Sequence, residues 1–327
     1  MTRPARLPLI LLLALLPGIS VAQDAEPGFP SRPVTIVVPQ AAGGPTDIES
    51  RIFAAKVAEL LGQPFLVDNK TGAGTTIGTV HVAKSRPDGY TLLSIGGGFT
   101  SFEALYKEVP LQGTRYFAPI SLVSQRFNVL VVPSVLPVRT LQEYFTHARA
   151  NPGGVNFATS GAGGGIHLAG AWMHGVSGVP VTFVHYKGTG ALMQDLLAAR
   201  VQATSTGLLV SLPLIRAGKL RALAIMNRDR SDLLPDLATV AEQGIPGFNY
   251  SAWLGFAAPV GTPGATVDKL ADGFIRATRA PDLVKRLQPE GSMVVGSTPA
   301  QFRQFMLGEV AQWRKVLQEN AIKIEEP

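Results

Sequence analysis

The stretch VVPQAAGGPTDIESR (residues 37–51) carries the decision about the fold. An apolar, β-branched run ends in Pro39-Gln40, two alanines and two glycines follow, and Thr46-Asp47 opens a segment with helical period. Ile48, Ile52 and Ala55 line one stripe of that helix, and Phe53, Val57 and Leu60 another. A strand handed to a helix through so bare a loop leaves backbone N–H groups uncovered at the positive end of the helix dipole. Phosphate binding, carboxylate binding and a plain tight turn are the three readings of such a loop.

The same rhythm continues downstream. FLVDN (residues 65–69) reads as a strand, TTIGTVHVAKS (75–85) as a helix stopped by Pro87-Asp88-Gly89, and YTLLSI (90–95) as a third strand. NVLVV, VNFA, VTFV and LRALAIM then alternate with helical patterns. Alternation of this kind predicts an α/β architecture of parallel layers, with ligands outside the carboxyl ends of strands. Two apolar, extended stretches bounded by Pro or Gly, residues 119–133 and 247–259, read as crossings between lobes. Two crossings make one lobe discontinuous. The expected layout is a signal peptide over 1–22, lobe one over 23–125, lobe two over 126–251, and a return to lobe one over 252–327. The returning part is helical, with Ser297 or Thr298 as N-cap and Gln301 beyond it. Its Phe302, Phe305, Met306, Val310 and Trp313 are expected core contacts.

The N-terminus MTRPARLPLILLLALLPGISVA supplies Arg3 and Arg6 ahead of a short apolar run, then small residues at Ser20-Val21-Ala22. This pattern predicts export with cleavage near Ala22, hence a periplasmic protein. The chain is 46% hydrophobic and 16% charged, with a formal charge of +6. Without Arg3 and Arg6 it has 27 basic against 23 acidic residues, a mild excess with no dense basic run, so nucleic acid is not an expected partner. There is no cysteine, which removes disulfides and thiolate chemistry.

Familiar catalytic signatures are missing. GAGTTIG (72–78) and SGAGGGIHLAG (160–170) both place isoleucine, Ile77 and Ile166, where a dinucleotide-binding fingerprint needs its third glycine. Neither leads into Gly-Lys-Ser/Thr, no G-x-S-x-G occurs, and the five histidines lack zinc-ligand spacing. The expectation is a binder rather than an enzyme, with no metal or cofactor.

Three loops that open helices survive this elimination. The first holds Gln40, Ala41, Ala42, Gly43, Gly44, Thr46 and Asp47. The second holds Ser160, Gly161, Gly163, Gly164, Gly165 and His167, and the third contains Tyr186. Each loop alone reads equally well as a tight turn; three of them, on both sides of a crossing, favour a site for an anionic ligand between two lobes.

These residues also resemble a family. FPSRPVTIVVPQAAGGPTDIESRIFAAKVAELLGQPFLVDNKTGAG, GGVNFATSGAGGGIHLAG, VHYKGTGALMQDLLAARVQA, IRAGKLRALAI, LPDLATVAEQGIPGFNYSAWLGFAAPVGTP and GSTPAQFRQFMLGEVAQWRKVL, in order, are similar to Bug-type, TctC-like solute-binding proteins of tripartite tricarboxylate transporters. The resemblance implies a two-lobed periplasmic-binding fold that closes on a small carboxylate, held by the first two loops through main-chain donors and water. It also implies membrane transporter subunits as partners; the binder itself is expected to be a monomer. Thr204-Ser205-Thr206 stands where the family often carries an acid, which disfavours an amino-acid ligand and makes Ser205 and Thr206 candidate contacts. Phe99 and Trp253 are candidate walls for an apolar or aromatic ligand body, with core packing as the alternative. A sensory binder with a signalling partner is the competing function, ahead of an α/β enzyme.

Overall fold

A computed structural model describes residues 28–72, 75–106 and 113–319; the expected signal peptide lies outside them. The chain forms two sheets flanked by helices. The first sheet contains β1 (Val34–Val38), β2 (Phe65–Asn69), β3 (Thr91–Gly96), β4 (Phe117–Arg126), β10 (Ala252–Pro259) and β11 (Ser292–Val294), in the order β11-β4-β10-β3-β1-β2. The second contains β5 (Asn128–Pro133), β6 (Asn156–Thr159), β7 (Thr182–His185), β8 (Ala203–Gly207) and β9 (Leu220–Ile225), in the order β7-β6-β8-β5-β9. The helices are α1 (Pro45–Leu61), α2 (Thr76–Ala83), α3 (Gly97–Leu105), α4 (Leu141–Ala150), α5 (Gly165–Ser177), α6 (Thr189–Leu197), α7 (Leu208–Arg216), α8 (Gly264–Thr278), α9 (Pro281–Leu287) and α10 (Pro299–Glu319).

The chain passes between the two sheets twice, first by a short link and then by a long one over residues 226–251. Only Phe127 separates the last strand residue in the first sheet from the first in the second, and the chain returns between β9 and β10. β1, β2 and β3 run parallel; β10 is antiparallel to β3 and to β4, so β4 ends at the same edge as β1 and β3. β5 is antiparallel to β8, and β8 is parallel to β6, so β5 begins at the carboxyl end of the second sheet. The first crossing therefore joins carboxyl end to carboxyl end. The loops that open α1 and α5 are thereby brought to the same junction.

The two crossings are stitched side by side. Asn227 accepts from the Asn128 N–H (2.7 Å) and donates to the Arg126 carbonyl (3.1 Å). Tyr250 N–H donates to the Met226 carbonyl at 2.8 Å. Beneath them the buried Glu49 carboxylate of α1 accepts from the hydroxyls of Ser124 (2.7 Å) and Ser292 (2.6 Å) and lies 3.2 Å from Arg126 Nη1. Helix α1 is thus tied to both β4 and β11 at the junction.

Of the two apolar stripes on α1, Phe53 and Val57 of one are fully buried and its Leu60 half-buried, while in the other Ile48 and Ile52 are half-buried and Ala55 is exposed. Burial of each such side chain contributes about 1.5–3 kcal/mol. In α10, Thr298 and Gln301 form the expected capping box: the Gln301 N–H donates to Thr298 Oγ1 and the Gln301 side chain accepts from the Thr298 N–H. The helix does not stay with one sheet. Phe302 and Met306 pack in the first sheet's core with Trp253 and Leu93, whereas Trp313 and Val316 pack in the second sheet's core with Trp172 and Tyr250.

Candidate carboxylate-binding junction

The first two glycine loops are built to one plan. Ala42-Gly43-Gly44-Pro45-Thr46-Asp47 and Ala162-Gly163-Gly164-Gly165-Ile166-His167 each follow a parallel strand and open a helix. Gly43 and Gly163 both lie in the left-handed region, at φ +79° and +69°, which L side chains adopt only with strain. Gly44 and Gly164 are the N-caps, with nearly equal torsions (φ −78°, ψ 165° and φ −71°, ψ 164°) and no side-chain cap. The Gly43 N–H donates to Asp47 Oδ2 at 2.9 Å; the Gly163 N–H donates to His167 Nδ1 at 3.0 Å. In both loops a side chain four residues on takes the N–H of the left-handed glycine. The first-turn N–H groups beyond it have no intrahelical partner: those of Thr46 and Asp47 in α1, where Pro45 carries none, and those of Gly165, Ile166 and His167 in α5.

The acceptors differ in charge. Asp47 is almost fully buried, and its other oxygen accepts from Arg51 Nε and Asn69 Nδ2, both at 3.0 Å. Burial pushes its carboxyl up, but Arg51, the Gly43 N–H and Asn69 together outweigh that and hold it below the usual carboxylate range. Asn69 also donates to the Gln40 carbonyl at 3.0 Å, which pins the start of the loop. His167 is neutral: burial, assisted by the neighbouring His185, lowers its pKa to about 4. Because Nδ1 accepts, its proton sits on Nε2. Its ring lies against Phe183 and His185, with centroids 4.7 and 4.6 Å away.

Ala41, Ala42, Gly43 and Ser160 are exposed, and no atom lies within 4 Å of where a Gly43 or Gly161 side chain would begin. The second loop touches the first unit directly: Ser101 Oγ of α3 donates to the Gly163 carbonyl at 3.0 Å. Asp47 and His167, expected as ligand contacts, each hold their own loop in shape. Tyr186, in the third loop, is engaged by Asp195 of α6, to which its hydroxyl donates at 2.8 Å.

Phe99 and Trp253 are core residues, and the expectation that they wall a ligand body is corrected. Trp253 is fully buried, packs edge-on against Phe302 and Phe305, and donates its indole N–H to Glu309 at 3.1 Å. Phe99 packs edge-on against Phe117. The reason is layering: α10 lays Phe302, Phe305 and Met306 over the face of β10 that carries Trp253, and Phe99 of α3 packs into the same core. Ser205 and Thr206 are buried on opposite faces of β8, paired with Leu130 and Val129 respectively. Residues at the junction that sequence reading missed are Glu49, Ser101, Arg126, Asn128 and Tyr250. None stands in a recognisable motif. Among the described residues no cluster of three or more metal-ligating side chains occurs. A groove of about 540 Å³ along edge strand β9, lined by Ser134, Arg221, Leu233 and Leu237, lies at the opposite end of the second sheet from the junction.

Comparison with known proteins gives this geometry a family. The model of the tripartite tricarboxylate transporter family receptor matches residues 50–322. A protein of Pseudomonas sp. (strain P51) from the tcbD-tcbE intergenic region is 36% identical over 310 residues, covering 94% of this chain and 92% of its own length. The periplasmic binding protein BugD superposes with a TM-score of 0.84 at 34% identity, over 90% of this chain and 99% of its own. An R. palustris protein whose structure holds adipate superposes with a TM-score of 0.85 at 32% identity, over 90% and 99% of the two chains. The chain belongs to the family of tripartite tricarboxylate transporter receptors.

Proposed function

We propose that this chain is an exported, monomeric solute-binding protein that captures a small carboxylate between two lobes and presents it to membrane transporter subunits. The observation that carries the reading is the matched pair of glycine loops, brought by the first crossing to one junction with helix-start N–H groups free on both sides. Two such donors sets grip one oxygen anion without any basic side chain. The family and the adipate held by a relative support the ligand class. The N-terminal segment supports export to the periplasm with cleavage near Ala22. The lobes are taken as 23–125 with 252–327, and 126–251, closing about the crossings.

Calorimetric titration with straight-chain monocarboxylates (butyrate to octanoate) and dicarboxylates (succinate to suberate) tests the reading. A valine Cβ at Gly164 would meet nothing nearer than the Gly161 carbonyl at 3.5 Å, so the backbone admits it while the side chain fills the loop mouth. Wild-type protein should bind at least one of these acids, and Gly164→Val should bind none while keeping its circular dichroism. Retained affinity in a folded Gly164→Val protein, or no binding by the wild type, would overturn the proposal. Closure should also lower the radius of gyration in solution scattering.

A further inference from the structure

The second sheet ends in a strand whose outer edge is only half covered. β9 is terminal in the order β7-β6-β8-β5-β9. At its last residue the edge is paired. The Ile225 N–H donates to the Ala238 carbonyl (3.0 Å), the Val240 N–H donates to the Ile225 carbonyl (2.8 Å), and Ile225 and Thr239 form a parallel bridge. Residues 238–240 thus take the place of a next strand and run in the direction of β9. Traced backward, the chain leaves that lane. It turns away through residues 231–237, where the Leu234 N–H donates to the Ser231 carbonyl at 2.9 Å and the Leu237 N–H to the Leu234 carbonyl at 3.0 Å. Beside residues 220–222 the lane is left to the groove of about 540 Å³.

The two walls of the groove suit an extended chain. One wall is main chain. The Ser134 N–H donates to the Lys219 carbonyl at 3.2 Å, so Lys219 and Arg221 turn their main-chain groups toward β5, and Leu220 and Ala222 turn theirs outward. Among the described residues nothing on the open side meets those outward groups. The other wall is apolar, made by Leu233, Leu234 and Leu237, with Ile215 of α7 beside them. An open edge of this kind pairs with an incoming strand, whose alternate side chains enter the groove.

Charge selects the kind of chain. Arg221 lines the groove, and its guanidinium is fixed on the carbonyls of Ser134 (3.3 Å), Leu136 (2.9 Å) and Val138 (2.7 Å), not on a carboxylate. Exposed Arg216 and Lys219, adjacent in sequence to the lining residues Ile215 and Leu220, have no ion-pair partner among the described residues. Against these three cations the lining carries a single acid, Asp236. Val135, 79% exposed, extends the apolar rim next to Ser134.

We propose that the groove beside β9 is a docking slot for an extended, acidic segment of a partner protein, added to β9 as a further strand. Its apolar side chains meet Leu233, Leu234 and Leu237, and its carboxylates meet Arg216, Lys219 and Arg221. β9 is antiparallel to β5, which begins at the junction, so Leu220 lies at the end of the sheet away from the glycine loops. A docked segment therefore leaves those loops open. The slot does not depend on the carboxylate-binding reading, and peptide binding and carboxylate binding are lost separately.

The test is selection of a displayed library of random linear peptides on the wild-type protein, followed by titration of the selected peptides against the double variant Arg216→Glu/Lys219→Glu. Both positions are exposed, so the variant should keep its circular dichroism. Selected peptides should alternate apolar and acidic residues, and the double variant should bind them at least about tenfold more weakly, since charges of like sign then face each other. In the complex, amide exchange at Leu220 and Ala222 should slow at least about tenfold as their N–H groups gain partners. N-methylation of the peptide amides that face β9 should abolish binding, because strand addition works through main-chain hydrogen bonds. Enrichment of no peptide, equal binding by the double variant, or unchanged exchange at Leu220 and Ala222 in the complex would overturn the slot. A groove that takes laurate but no peptide would be a small-molecule pocket, which also overturns it.

Discussion

The two glycine loops share torsions, N-cap residue and the i to i+4 bond that fixes the left-handed glycine, yet one closes on an anion and the other on a neutral ring. Asp47 brings a charge to the start of α1 and neutralises it locally with Arg51 and Asn69. His167 brings none to the start of α5. The dipole of α5 is therefore uncompensated, whereas that of α1 already faces a carboxylate. The lesson is that loop shape and loop potential are set separately. Both loops offer donors, and the α5 loop is expected to supply more of the field that holds an anion.

The largest test of this difference is to erase it. His167→Asp supplies the α5 loop with the acid of the α1 loop but without Arg51 or Asn69 to pair it. An unpaired buried charge costs about 3 kcal/mol or more, so urea unfolding at neutral pH should show a loss of that order, with carboxylate binding lost too. A variant as stable as the wild type would mean that the acceptors are interchangeable. The reverse exchange is milder: Asp47→Asn keeps an acceptor for Gly43 but removes the charge that holds three donors, and should cost about 2 kcal/mol in the same measurement.

Protons provide a third test, because the two acceptors titrate in separate windows. The His167 pKa falls from 6.5 to about 4 on folding. The unfolded chain thus takes the proton first, so this contribution is complete above about pH 6.5 and drains away as pH falls toward 4. The Asp47 carboxyl is held below 3.8, so its contribution is present above that value and is lost only as pH falls through the lower folded pKa. Amide exchange followed by NMR should show Gly163 N–H losing protection between pH 6 and pH 4 while Gly43 N–H keeps its own, roughly as these pKa windows dictate. Simultaneous loss would contradict the assignment. Buried His174, also lowered to about 4, makes global stability too blunt a readout. The smallest effect is expected for Arg51→Ala. Its side chain is half exposed, and such pairs contribute about 1 kcal/mol or less, so a small shift in the urea midpoint and near-normal binding should result.

Much of this was legible in the sequence. The βα alternation could be read because each strand is an apolar run bounded by glycine or proline, and FLVDN and the capped C-terminal helix appear where expected. The glycine loops announced themselves by composition. What they do with Asp47 and His167 did not, because a side chain turned back onto its own loop looks in sequence like any first-turn helix residue. Helix α3 was missed since Gly96-Gly97-Gly98 argues against a helix; tertiary packing supplies what propensity lacks. Trp253 misled because its cover is non-local: nothing in GFNYSAWLGF says that α10 will lie over that face of β10. Asn128 and Tyr250 escaped for the same reason, being united only when both crossings meet.

Helix α10 has a consequence for how separable the two units are. Its first turns belong to the core beneath one sheet, while Trp313 packs near Trp172 and Tyr250 in the core beneath the other. In the language of assemblies, the chain behaves like a heterodimer in which one partner lends the other a C-terminal arm. A fragment spanning only residues 126–251 would carry an open socket where that arm belongs, with Trp172 and Tyr250 turned toward solvent. Cleaving the link between β11 and α10 would free the arm to seat in another copy. The same peptide that completes the second core also ties it, across the junction, to the first.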